Sequence, residues 1–246
     1  MKNTWREERL IHTSLCDAEG RLGIRNAFDL FMDMASVHAA HLGVSYYDML
    51  ERRCYWVAVR TRVRFKCRPR LGEAIEMETW PVKPGLAKSE RCYRLFCGGD
   101  EAAEGRTEWA AQDVDTGSVR RMDSFGFPME LDFRTDRACP EPFTRFRDMD
   151  TSNEAPVRVY TVDPMDIDLG RHMNNVAYIR MLLGTFTTEE QERMDISEVE
   201  VSYRRACFEG EELRIYRRRQ EDGWMFQVCR PDGETAIHAL MRVNYD

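Results

Sequence analysis

From Val59 to Arg70 the chain alternates, with Val59, Thr61, Val63, Phe65 and Cys67 on one parity and Arg60, Arg62, Arg64, Lys66, Arg68 and Arg70 on the other. Successive side chains of a strand point to opposite faces, so this stretch predicts a strand with one basic and one mainly apolar face. Similar runs predict strands over 55–67, 74–80, 89–96, 105–113 and 119–122, with turns at Gly98-Gly99-Asp100 and Asp115-Thr-Gly117. A second group covers 195–207, 212–220, 224–230 and 235–244, with turns at Glu221-Asp-Gly223 and Pro231-Asp-Gly233. Helical spacing takes over at Phe28, Leu30, Phe31, Met34, Ala35, His38 and Leu42, and again at Val176, Ile179, Leu183 and Phe186. Asn174 or Asn175 is placed to cap the second helix.

The two groups are copies of one plan. Val63, Phe65, Gly72-Glu73, Ile75 and Met77 line up without gaps against Val201, Tyr203, Gly210-Glu211, Leu213 and Ile215, at a constant offset of 138 residues (Gly72 to Gly210). Each copy reads as loop, helix and antiparallel strands, an α+β arrangement. Residues 1–127 form the first expected domain and 157–246 the second. Residues 128–156, with Pro140, Pro142 and little periodicity, form the expected linker.

The basic face has two readings. Ordinary cross-strand ion pairs to Glu76 and Glu78 on the next strand account for part of it. The remaining arginines suit an acidic partner or a phosphate-bearing carrier.

Reactive groups gather at the mouth of the second helix, in Asp168-Leu-Gly170-Arg171-His172-Met-Asn174-Asn175. Unpaired N–H groups and the positive end of the helix dipole face back toward Asp168 and His172. Such a place suits acyl chemistry, with a carboxylate or imidazole activating water beside a developing oxyanion. The plainer alternative is that Asp168 and Asn174 only cap the helix while His172 packs in the core.

Composition narrows the class. The 246 residues carry 43% hydrophobic and 32% charged side chains with a net charge of −7, enough for a sizeable core and contrary to general nucleic-acid binding. No apolar run approaches the roughly 20 residues that span a bilayer, so no membrane partner is expected. Met1 leads straight into charged sequence, which predicts a cytoplasmic protein. The eight cysteines lack paired spacing and the five histidines lack metal-ligand spacing, so reduced thiols and neither metal nor cofactor are expected.

With these residues in view, the chain resembles the acyl-ACP thioesterases of bacteria and plastids, a family of tandem (double) hotdogs. In each hotdog a long helix is wrapped by an antiparallel β-sheet. The likeness rests on Asp168 to Tyr178, on Tyr203-Arg-Arg-Ala-Cys207, on Tyr55-Trp56-Val57 and on Gly72-Glu-x-x-Glu-x-x-Thr79-Trp80. It implies hydrolysis of acyl-ACP to free fatty acid, with the catalytic groups in the second hotdog and an acyl pocket shaped by the first. Asp168 and His172 match the family's catalytic pair, with Asn174 and Asn175 beside them. Cys207 matches a cysteine that either attacks the thioester or is a small buried hydrophobe. Phe31, Met34, Tyr55 and Trp56 are candidates for the acyl channel, with Phe28 and Met32. Arg171, Arg204 and Arg205 would meet acyl carrier protein and its acyl-phosphopantetheine arm.

Two positions depart from the family. It commonly has Asn two residues before the histidine and Glu just before the cysteine, where this chain has Gly170 and Ala206. Glu209, Asn174, Asn175 and Asp166 are candidate replacements for holding water. A coenzyme-A thioesterase, a non-catalytic acyl-carrier binder and a hotdog dehydratase remain as other readings, and the tandem chain is compatible with a monomer or a homodimer.

Overall fold

A computed structural model describes residues 3–244. The chain divides into two compact units, Met1–Glu141 and Pro142–Asp246, a boundary inside the 128–156 segment. In the first unit, β1 (Trp5–Leu10) precedes the helices α1 (Ile24–His41) and α2 (Tyr46–Glu51). Then follow β2 (Cys54–Phe65), β3 (Ala74–Pro81), β4 (Ser89–Cys97), β5 (Asp100–Asp113) and the two-residue β6 (Val119–Arg120). Its sheet runs β1-β3-β4-β5-β2, antiparallel throughout, with β6 also on β5. The second unit has β7 (Arg158–Thr161), α3 (Asn175–Leu183), α4 (Thr188–Glu192), β8 (Asp195–Tyr203), β9 (Glu212–Gln220), β10 (Gly223–Cys229) and β11 (Thr235–Asn244). Its sheet runs β7-β9-β10-β11-β8, repeating the first strand for strand.

The basic face of β2 pairs differently from the expectation. β2 lies beside β5, not β3, so Arg60 meets Glu108 at 2.9 Å, Arg64 meets Glu104 at 3.1 Å and Lys66 meets Glu101 at 2.8 Å. Glu78 is taken by Arg6, Arg94 and Arg134 instead. β2 and β3, consecutive in the chain, are thus three places apart in the sheet with β4 and β5 between them, a crossover that α1 does not bridge and that alternation alone cannot reveal.

Several boundaries also move. β5 begins at Asp100 rather than 105, because the Gly98-Gly99 turn feeds directly into pairing with β4. β8 ends at Tyr203 rather than 207, where Arg204 N and Arg205 N both donate to Ala236 O and the ladder closes. α3 stops at Leu183 on a Gly184 C-cap, so Phe186 lies beyond the helix and packs edge-on against Trp224 and Phe226. Among the described residues only α1, at 18 residues, is a long helix; α3 has nine.

α1 buries its apolar face against the first sheet. Phe31 stacks on Tyr93 with ring centroids 4.9 Å apart, and Gly105 lets it in, since a Cβ there would meet the Phe31 ring at 3.0 Å. No described helix is long and apolar enough to cross a membrane.

Both helices are preceded by the same turn. An isolated bridge joins Cys16 to Leu22 in the first unit and Ile167 to Met173 in the second. Asp17 N donates to Arg21 O and Gly20 N to Asp17 O, as Asp168 N does to His172 O and Arg171 N to Asp168 O. Gly20 (φ 71°) and Arg171 (φ 60°) hold the same left-handed position. Arg21 therefore stands where His172 stands, paired with Asp17 at 3.3 Å, and Arg68 reaches Asp17 at 2.6 Å.

The segment expected as a linker is pinned along its length. In the first unit Trp80 Nε1 donates to Asp136 O, Cys139 N to Glu104, and Arg62 and Arg106 to Glu141 O. In the second, Thr144 donates through N and Oγ1 to the buried Glu200, and Met149 N to Gln227. Each sheet thus has its helix on one face and a length of strap on the other.

Candidate active site

The turn before α3 is tied down from below. Asp166 is 2% exposed. Its carboxylate accepts from Tyr160 Oη at 2.6 Å, from Asp163 N at 3.0 Å and from Arg180, while its carbonyl accepts from Asn174 N at 2.8 Å. Arg180 also donates to Tyr160 Oη at 2.9 Å. Met173 N donates to Cys207 O at 2.8 Å. β7, α3 and the segment after β8 thus hold the turn from three sides.

Above this base, Asp168 Oδ1 accepts from Gly170 N at 2.8 Å, an Asx turn that bends the chain back on itself. Asp168 Oδ1 lies 3.6 Å from His172 Nδ1, both side chains being partly open to solvent. A Cβ on residue 170 would stand 2.8 Å from His172 Nε2 and 3.1 Å from Asp168 Oδ1. The imidazole therefore uses room that only glycine leaves.

Asn174 caps α3, its Oδ1 accepting from Val176 N at 2.8 Å, while its carbonyl takes Ala177 N at 2.9 Å. The Asn175 N–H and carboxamide are left without partners among the described residues. A carboxylate, an imidazole, an open N–H at a helix start and a carboxamide thus share one turn. Together they can activate water and hold an oxyanion.

Of the proposed replacements for the family's Asn and Glu, Asp166 is committed to Tyr160 and Arg180, and Asn174 to its cap. Asn175 alone has an uncommitted side chain within the turn. Glu209 and Ala206 are exposed.

Cys207 is fully buried, with its thiol against Tyr178. Burial pushes that thiol up to about 11, which keeps it protonated at neutral pH and weighs against a thiolate nucleophile. Arg171, Arg204 and Arg205 are exposed. Arg205 is paired with Glu234 at 2.8 Å, Arg204 donates to Phe146 O at 3.5 Å, and Arg171 has no partner among the described residues.

The candidate channel residues do not form one group. Phe31 and Met34 are core residues of α1. Trp56 joins a separate cluster with Val44, Phe125 and Phe127, and Tyr55, its neighbour on β2, hydrogen-bonds Gln112 at 2.8 Å. The Asp166–Tyr160–Arg180 base is the part that sequence reading missed. Its signal was the alternation Val157, Val159, Thr161 against Arg158, Tyr160, Val162, which marks β7. Among the described residues, no group of three or more His, Cys, Asp or Glu is placed to hold a metal ion.

Comparison with known proteins decides the family. The family model described as Acyl-ACP thioesterase N-terminal domain matches residues 2–124, and that of the Acyl-ACP thioesterase C-terminal domain matches residues 148–239. The chain belongs to the acyl-ACP thioesterase family. Among acyl-ACP thioesterases of solved structure, one from Bacteroides thetaiotaomicron superposes with a TM-score of 0.88 at 21% identity, covering 98% of each chain. The 12:0-ACP thioesterase from Umbellularia californica gives 0.86 at 18% identity, covering 99% of this chain and 98% of that one. Both have the fold described above, a tandem hotdog. The oleoyl-acyl carrier protein thioesterase 2, chloroplastic, of Arabidopsis thaliana is 23% identical over 203 residues, covering 75% of this chain and 54% of that protein. The chain spans about half the length of that relative.

Proposed function

We propose that this protein hydrolyses fatty acyl thioesters carried on acyl carrier protein, releasing free fatty acid. The observation that carries the reading is the Asp168–His172 turn at the start of α3, in a chain of this family. Asp168 takes a proton from water as the water oxygen attacks the thioester carbonyl carbon. The Asn175 N–H stabilises the oxyanion, and its carboxamide orients the water. As the C–S bond breaks, the proton passes through His172 to the leaving sulfur, giving an acid and a thiol. Cys207 stays outside the chemistry, as a buried, protonated thiol.

Arg171, unpaired beside this turn, suits an acidic carrier with a phosphate on its arm. Eight free thiols, five of them buried, support a reducing, cytoplasmic setting.

The test is release of free fatty acid from acyl carrier thioesters of several chain lengths, run beside the matching coenzyme-A thioesters and the Asp168→Asn protein. Loss of a general base is expected to lower kcat by roughly 10²–10⁴-fold, with carrier thioesters preferred. Full turnover by Asp168→Asn would refute the assignment of Asp168. Turnover of coenzyme-A thioesters alone would move the substrate class.

A further inference from the structure

The helix-facing wall of the first sheet contains polar groups that the fold does not require. Tyr93 on β4 pairs with Thr79 on β3 and Gly105 on β5; Arg91, two residues before it, pairs with Thr107, which pairs in turn with Thr61 on β2. The Phe31–Tyr93 stack and a 2.9 Å contact between Arg91 Nη1 and His38 Nδ1 fix this as the side facing α1. Arg91 is 8% exposed and Tyr93 0%.

These groups are mostly donors, and several of them lack an acceptor among the described residues. Arg91 Nη1 bonds His38 Nδ1 and, at 3.4 Å, Thr79 Oγ1. No carboxylate pairs with Arg91, and its Nε and Nη2 have no partner among the described residues. The Tyr93 hydroxyl lies beside Thr107 and Trp109 without a bonded geometry to either, and Trp109 Nε1 is likewise buried and unbonded. The Thr61 and Thr107 hydroxyls, 3.1 Å apart, satisfy each other. Burial pushes the Arg91 guanidinium below its ordinary range. A buried charge with no counter-charge is costly.

The second unit shows that the wall need not be built this way. By the same register, Thr61, Arg91, Tyr93 and Thr107 correspond to Val199, Trp224, Phe226 and Met241. Thr79 corresponds to Arg217, whose guanidinium lies over the rings of Phe186 and Trp224. Three of these polar positions are apolar in the second copy, and the fourth, Trp224, replaces a charged guanidinium with a ring whose one polar group is a buried, unbonded Nε1.

We infer that Arg91, Tyr93 and Trp109 form a binding subsite for an oxygen acceptor on the acyl chain, a hydroxyl, ketone or carboxylate, so that the preferred substrates are oxygenated acyl thioesters rather than plain hydrocarbon ones. The inference rests on the acyl-thioester reading above. An acceptor oxygen in this wall completes the orphaned donors, and a carboxylate also neutralises Arg91. A plain methylene chain leaves all of them unmet.

Binding can be measured without turnover. Acyl-pantetheine amides, with nitrogen in place of the thioester sulfur, are titrated calorimetrically into the full chain. One carries a saturated chain; others of equal length carry a hydroxyl or a carboxylate at successive positions toward the far end. At least one oxygenated analogue is expected to bind roughly tenfold or more tightly than the saturated one, and Arg91→Met is expected to abolish that ratio. A merely structural role for Arg91 would weaken every analogue alike and leave the ratio unchanged. Should Arg91→Met not fold, Tyr93→Phe is expected to reduce the ratio at least about threefold. A saturated chain bound as tightly as every oxygenated one, or a ratio indifferent to the folded variants, would overturn the inference. Binding of no analogue would overturn it too. Hydrolysis of the matching thioesters is scored separately: its absence, with the binding preference intact, would remove the thioesterase reading and leave the subsite standing.

Discussion

An added Cβ at position 170 falls within 2.8 Å of His172 Nε2, and what gives way is the end of a side chain, not backbone. Gly170→Ala is therefore expected to fold with its unfolding free energy changed by no more than about 1 kcal/mol, while the imidazole is pushed from its seat over Asp168. Because misplacing a reacting group by an ångström is costly, kcat should fall roughly tenfold to a hundredfold; unchanged kcat would show that the imidazole position is immaterial. Cys207 leads to the opposite expectation. Burial pushes its thiol up to about 11, so Cys207→Ala should retain kcat within about threefold while losing about 1 kcal/mol of stability. A loss beyond a hundredfold would restore the nucleophile reading. Asp168 and His172 were legible in the sequence because spacing alone puts them at the mouth of a helix. The part played by Gly170 was not, since it depends on where the ring folds over the turn.

The strap and the clamp under the turn act as elements. Thr144 holds the strap to Glu200 through two hydrogen bonds, and Arg145 and Arg147 are exposed on either side of Phe146. Glu200→Ala is expected to release this stretch, so trypsin should cut after Arg145 or Arg147 several-fold faster than in the parent; equal cleavage rates would mean that the other anchors suffice. Arg180→Met leaves the buried Asp166 carboxylate with Tyr160 and Asp163 N but without its cation. Because Arg180 is half exposed, the cost is expected to be about 1–2 kcal/mol rather than that of breaking a fully buried pair, read as a lower urea midpoint with faster amide exchange over 163–174. The strands of both sheets were legible wherever one face is apolar and the other polar. β1 was not, because an edge strand written Trp-Arg-Glu-Glu-Arg-Leu carries charge on both faces, as exposed edges often do. Neither was the strap, since a segment bonded one residue at a time has no period.

Across the whole molecule, buried acids set the response to alkali. Burial pushes Cys92 and Cys207 each up to about 11 and Tyr93 up to about 12. The folded chain therefore holds these protons more tightly than the unfolded chain, whose thiols titrate near 9. Their contribution is complete below pH 9 and is lost as pH rises through 11, by roughly 2–3 kcal/mol for each thiol. The melting temperature should be level from pH 7 to 8.5 and fall steeply above 9; a level profile to pH 11 would show that unfolding releases no such protons. The duplication was legible from Gly72 and Gly210, yet its full extent was not, because the second copy is 13 residues shorter between the helix start and the strand end (Ile24 to Phe65 against Asn175 to Tyr203). One gap-free offset cannot span that difference. The repeated turn has a practical consequence. Asp17 with Arg21 and Asp168 with His172 sit in matching backbone, one pairing a carboxylate with a guanidinium and the other a carboxylate with an imidazole, so the chain contains its own reference sample. A perturbation that loosens the turn as such will register in both places, whereas one that touches the proposed proton transfer will register only in the second, and a probe on each turn tells the two apart within a single protein.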